Sequence, residues 1–145
     1  MKIIGGLFVI ASIVIVSSCT TQLETYVAHP PIEGWRAGES VEVEVENYDT
    51  LARSELSIFV RYHDARLRDT LHLDITTTAP DSTSYSEPFT IAPPIELERS
   101  KLHEVSYRTA VRWRQMGHYR VSFTPRRDIV GVESIGFKKH DLETF

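Results

Sequence analysis

Val41, Val43 and Val45 alternate with Glu42, Glu44 and Glu46, and this period of two constrains the chain more than any other feature. An α-helix turns once in about 3.6 residues and would scatter those valines around its circumference. An extended strand points all three to one face and the glutamates to the other. The same alternation returns in Leu56, Ile58, Val60 and Tyr62, again in Leu71, Leu73 and Ile75, and more weakly from Tyr85 to Ile91. Its longest run sets Val105, Tyr107, Thr109, Val111 and Trp113 against Glu104, Ser106, Arg108, Arg112 and Arg114. Met116-Gly117-His118 reads as a tight connection, because Gly117 can take positive φ, and Tyr119, Val121 and Phe123 resume the pattern beyond it. These two runs predict a β-hairpin. Pro125 ends it, and Asp128 to Lys139, with Val130, Val132, Ile135 and Phe137, predict a short loop and a closing strand.

Seven or eight short strands separated by turn signals, rich in β-branched and aromatic residues, predict an all-β fold, an antiparallel β-sandwich of jelly-roll or Ig-like type. The sandwich is expected over residues 39–140, followed by a polar tail at 141–145. The segment from Pro94 to Leu102 is long enough for one helical turn, which at that length is a connection between sheets. There is no internal repeat and no low-complexity tract.

The N-terminus has a different character. Lys2 supplies a positive charge, Ile3 to Val16 an apolar run too short for an ordinary spanning helix, and Ser17-Ser18 the small residues that a signal peptidase accepts. Cys19 follows directly and is the only cysteine. The order Val16-Ser17-Ser18-Cys19 resembles a bacterial lipobox, which implies that residues 1–18 are a lipoprotein signal peptide and that Cys19 carries a diacylglyceryl group as the first residue of the mature chain. More than one acyl chain makes such an anchor stable. Residues 19–38, with Pro30-Pro31 and Gly34, read as a tether, and Trp35 within it is expected to dock on the rim of the domain.

The remaining length suits one domain. With Cys19 committed to lipid there is no disulfide, no thiolate metal ligand and no thiol nucleophile, so stability must come from packing. The formal charge of −4 falls to −5 when Lys2 leaves with the leader, which argues against nucleic acid as a partner and against a basic membrane-binding face. Membrane contact is expected through the acyl group alone.

A search for chemistry finds little. His63-Asp64 and His72 with Asp74 are the best metal candidates, since residues two apart on a strand share a face, but nothing supplies a third ligand at defined spacing. No Gly-x-Ser-x-Gly elbow is present. Glu42, Glu44 and Glu46 line one face of a strand, as paired acids for sugar hydrolysis could, and as any solvent face does. The expectation is a non-enzymatic protein with no metal and no cofactor. Arg108, Arg112, Arg114 and Arg120 form a guanidinium row on the polar faces of the expected hairpin. Such a row either meets the glutamate stripe in a cross-strand ladder or meets a partner.

The order of features resembles the GldH-type gliding-motility lipoproteins of the Bacteroidetes. The residues that carry the resemblance are Cys19, Tyr26 and Pro30, Trp35, Leu56 to Val60, Asp69 to Leu71, Gly117 to Val121, and Val130 to Phe137. The resemblance implies a membrane-attached, non-enzymatic component of the gliding machinery whose partner is another envelope protein. No catalytic residue transfers with it. Residues Thr20 to Glu24 lack the acidic run of surface-exported lipoproteins, so the expected location is the outer membrane, facing the periplasm. The alternative is an envelope module that binds carbohydrate or peptide on a sheet face.

Overall fold

The computed structural model describes residues 23–63, 69–92 and 101–142. They form eight strands: β1 Leu23–Ala28, β2 Val41–Asn47, β3 Arg53–Tyr62, β4 Leu71–Thr78, β5 Ser84–Ile91, β6 Leu102–Arg112, β7 Gly117–Pro125 and β8 Val132–Leu142. Two four-stranded sheets result, in the orders β1-β8-β3-β6 and β2-β7-β4-β5. Every strand pair is antiparallel. Every step along the chain crosses from one sheet to the other except β4 to β5, and this order of strands is that of a jelly roll. The all-β sandwich expected from the alternation is therefore what forms, in the first of its two anticipated versions.

The inward-facing residues are the expected ones. Val43, Val45, Leu73, Ile75, Val121 and Phe123 from one sheet meet Leu56, Ile58, Val60, Ile135 and Phe137 from the other, all buried. Trp35 closes one end of this core. It is 1% exposed, pairs through its backbone with Ile129, and donates Nε1–H to the Glu39 carbonyl at 2.7 Å. The indole thus goes deeper than the rim.

Three expectations are corrected. The runs 105–113 and 119–123 do not form a hairpin: β6 is the edge of one sheet and β7 lies inside the other. Alternation decides which side chains point inward, and that requirement is met equally when the chain folds over into the opposite layer. Trp113 and Tyr119 then meet edge to face across the core, ring centroids 4.6 Å apart. The stretch read as tether contains strand β1, whose residues pair with β8 from Leu23↔His140 to Ala28↔Ile135 and satisfy backbone groups that β8 would otherwise leave open. Strand β8 runs on through Asp141 and Leu142, two residues that the expected tail included. Val130 is exposed in the short connection ahead of β8. Cys19, Asp64 and nearly all of the Pro94 to Leu102 segment lie outside the described residues.

Candidate functional site

The two sheets present an open side where edge strand β5 faces edge strand β6. Regular pairing of β3 with β6 breaks at Leu56, whose Cα partner is Arg108, while Ser54 faces Val111 and Ser57 faces Ser106. Strand β6 therefore carries extra residues on both sides of Arg108, and Ala110 takes a φ of 53° within the bulged stretch. A bulge turns consecutive side chains toward one side and twists a strand edge away from further pairing. The consequence is visible at Glu87 of β5, which accepts hydrogen bonds from both Tyr107 Oη and the Arg108 guanidinium. In a regular strand residues 107 and 108 would point to opposite faces.

Glu87 and Arg108 bind each other as an ion pair across the layer gap. The Arg108 guanidinium also lies over the Tyr107 ring, 5.2 Å from its centroid, and Tyr107 packs edge-on against Phe89 at 5.2 Å. Burial, and then the hydrogen bond to Glu87, push the Tyr107 hydroxyl pKa well above its ordinary value. The Glu87 bond likewise raises that of Arg108.

Beyond this bridge the side opens into a cleft of about 380 Å³, lined among others by Thr77, Tyr85, Arg112, Trp113 and Arg114. Trp113 is 5% exposed, and its buried indole Nε1 has no hydrogen-bond partner among the described residues. Arg112 stands directly opposite Arg53 in the β3–β6 ladder, a like-charge juxtaposition that is unfavourable without an anion. Among the described residues neither Arg112 nor Arg114 has an acidic partner. The cleft can hold an anionic or hydrogen-bond-accepting group beside an aromatic wall.

The structure thus divides the four arginines singled out from the sequence. Arg108, Arg112 and Arg114 line this cleft, whereas Arg120 belongs to β7 in the other sheet. There it meets Glu42 at 3.5 Å, and His118 approaches Glu44 and Glu46 at 3.7 and 3.9 Å. The glutamate stripe of β2 is therefore answered by β7, not by β6. Of the metal candidates, Asp74 is held by Arg126 at 2.8 Å, which keeps its carboxyl below the usual carboxylate range. Among the described residues no three His, Cys, Asp or Glu side chains come together as a metal site.

Two features depart from the rule that apolar side chains face inward and polar ones outward. Phe59, out of phase with Ile58 and Val60 and therefore on the outer face, is buried there against Gly136: a Cβ on that glycine would come within 2.1 Å of the phenyl ring. Lys138 lies 5.7 Å from the same ring and binds Glu104 at 2.7 Å, and Ser57 donates to Glu104 at 2.8 Å. Beside them, on the outer face of this sheet, is a depression of about 750 Å³ lined by Glu55, Ser57, Glu104, Lys138 and His140. Lys139 is the second. It faces inward, nearly fully buried, and binds Asp141 at 3.2 Å, while Ser54 Oγ donates to the same carboxylate at 2.6 Å. The one hint in the sequence was the placement of Lys139 in phase with Ile135 and Phe137.

No protein-family model matches the chain, and no curated protein matches it. Among solved structures it is similar to the insecticidal delta-endotoxin Cry8Ea1 from Bacillus thuringiensis, at 13% identity and a TM-score of 0.44, over 76% of this chain and 19% of that one. It is also similar to the 4-O-methyl-alpha-glucuronidase BtGH115A of family GH115, at 8% identity and a TM-score of 0.46, over 72% of this chain and 14% of that one. The chain spans less than a fifth of either.

Proposed function

We propose that this protein is an envelope lipoprotein, held at the outer membrane by acyl chains on Cys19 and facing the periplasm, and that it serves as a non-catalytic component of the gliding machinery, the role that the GldH-type resemblance implies. The observation that carries the membrane half is the coincidence, within residues 2–19, of a basic start, an apolar run, paired serines and a cysteine. The cleft between β5 and β6 supports the docking half. Arg112 and Arg114 are exposed there, and Arg is one of the residue types over-represented where interfaces draw their binding energy. Arg108, committed to Glu87, shapes the cleft from within.

Two experiments test the halves separately. Cys19→Ser should leave an unprocessed precursor that takes up no palmitate; normal processing and labelling of the variant would end the anchor reading. Crosslinking in cells should recover an envelope protein, and Arg112→Glu combined with Arg114→Glu should abolish that recovery at unchanged protein level. Recovery indifferent to the reversal removes the cleft as the contact.

The depression on the outer face of the β1-β8-β3-β6 sheet favours one second reading, a carbohydrate-binding module, because Glu55, Ser57, Glu104, Lys138 and His140 offer several polar groups around one hollow. Phe59 is too buried to serve as a stacking platform for a sugar. A glycan array should then give sugar-specific signal that Glu104→Gln removes.

A further inference from the structure

Strand polarity puts the N-terminus of β1, the β2–β3, β4–β5 and β6–β7 connections and the C-terminus of β8 at one end of the sandwich. Trp35 and the β7–β8 connection mark the other. The most exposed large apolar side chains stand at the first end, while Val130 and Ile32 stand out at the other. Leu51 is 75% exposed and Tyr48 68% exposed in the β2–β3 connection, Met116 stands out from the β6–β7 connection, and Leu23 opens β1. Their mountings are fixed. Asp49 Oδ1 accepts from the backbone N–H of Leu51 at 2.8 Å and of Ala52 at 3.1 Å, and the Asp81 N–H donates to Gln115 Oε1 at 3.1 Å, tying two of the connections together. Apolar side chains held rigidly in water at one pole of a domain mark a contact surface.

The occupant follows from the length of chain outside the described residues. Cys19 is four residues before Leu23, and four residues span at most about 14 Å even when fully extended. Strand β8, with 11 residues, is about 35 Å long at the usual rise per residue, so the opposite end is beyond the reach of such a leash. We infer that this end of the sandwich, through Leu51, Met116, Tyr48 and Leu23, rests in the interfacial layer of the bilayer that holds the protein's own lipid. The inference rests on the Cys19 anchor. It adds a fixed orientation: the jelly roll stands on its short loops, with the Trp35 end pointing into the periplasm. Aliphatic and tyrosine side chains are suited to the depth of a few ångströms where headgroups give way to acyl chains. The contact needs no positive charge, which agrees with the acidic balance of the chain.

The test uses the full, cell-processed lipoprotein in vesicles of phosphatidylcholine and phosphatidylethanolamine containing spin-labelled acyl chains. An environment-sensitive maleimide dye is placed by Leu51→Cys, Met116→Cys, Ile32→Cys or Val130→Cys, one per protein. All four positions are exposed, so folding is spared. Because an acylated Cys19 has no free thiol, each variant should take one dye and float with the vesicles. Quenching at 51 and 116 should exceed that at 32 and 130 by about threefold or more, as burial a few ångströms into the interface requires. Flotation with equal quenching at all four positions overturns the orientation and leaves the anchor standing. Two dyes per chain and loss of flotation overturn the anchor, and the orientation with it. Dyes at 51 and 116 that are shielded in detergent without lipid, yet unquenched in vesicles, assign the end to a second copy of the chain and also overturn the inference.

Discussion

The two sheets contrast in how they treat their outer faces. In β2-β7-β4-β5 the outer face is what a period of two implies: Glu42, Glu44 and Glu46 lie against Ser122, Arg120 and His118, each exposed or half-buried, and none of these strands buries a large apolar side chain on that side. In β1-β8-β3-β6 the period is broken repeatedly. Phe59 is buried on the outer face over Gly136, Lys139 is buried on the inner face, and β6 carries bulges around Arg108. The difference teaches that the first sheet meets its surroundings through single residues, whereas the second depends on pairs of residues distant in sequence. A phenyl ring can lie on a sheet only where the neighbouring strand lacks a side chain, and a lysine can face inward only beside a carboxylate.

Mutations can break or sharpen this contrast. Phe123→Ala, in the common core, should cost the most, about 4 kcal/mol in urea unfolding. Phe59→Ala should cost about 2–3 kcal/mol if the outer face holds a real packing site; a loss below about 0.5 kcal/mol, typical of surface substitutions, would erase the distinction between the sheets. Gly136→Ala should cost about 2 kcal/mol through overpacking. In combination with Phe59→Ala its cost should shrink, because the ring is one of the two obstacles; the Tyr26 carbonyl, 2.4 Å from the added Cβ, is the other. Strict additivity would show that ring and glycine do not act as a pair.

Glu87→Ala should cost about 1 kcal/mol, since the carboxylate serves two donors while Arg108 remains partly in water. The same site has a pH signature. The unfolded-state Tyr107 hydroxyl ionises near pH 10, and its folded-state pKa lies higher. Above about pH 10 the unfolded chain therefore binds fewer protons than the folded one, and stability falls as pH rises. Tyr26, whose hydroxyl is raised by burial and by Glu24, adds to the decline. In melting curves recorded across that range, Tyr107→Phe should make the decline shallower; a slope equal to that of the parent protein would separate Tyr107 from it. Arg120→Ala should have the smallest effect, below about 0.5 kcal/mol, because its ion pair with Glu42 is exposed on both sides.

The candidate cleft was legible in part. Arg108, Arg112 and Arg114 stand out in the sequence because they repeat on the polar phase of an alternating run, and they do gather at one place. Arg120 carried the same signal and went elsewhere, because nothing local tells a hairpin from a chain that folds over into the other layer. Glu87, which shapes the cleft, had no signal. It is one exposed-looking glutamate in a weak strand, and the bulge that aims two β6 side chains at it arises from a register slip against Leu56.

By itself the sequence determined which side chains face inward over most of the strands, and hence an all-β sandwich, because a period of two is a property of one extended strand and needs no partner to be read. Only the tertiary structure decided which strands adjoin, that β1 belongs to the domain and that the β6–β7 connection crosses the core. These depend on contacts between residues far apart in the chain: β1 and β8 are joined by Tyr26↔Phe137, and Gly136 matters only because Phe59 lies over it. Which strand ends share a pole of the sandwich is likewise set by pairing alone, and it brings Leu23, Leu51 and Met116 to the same end.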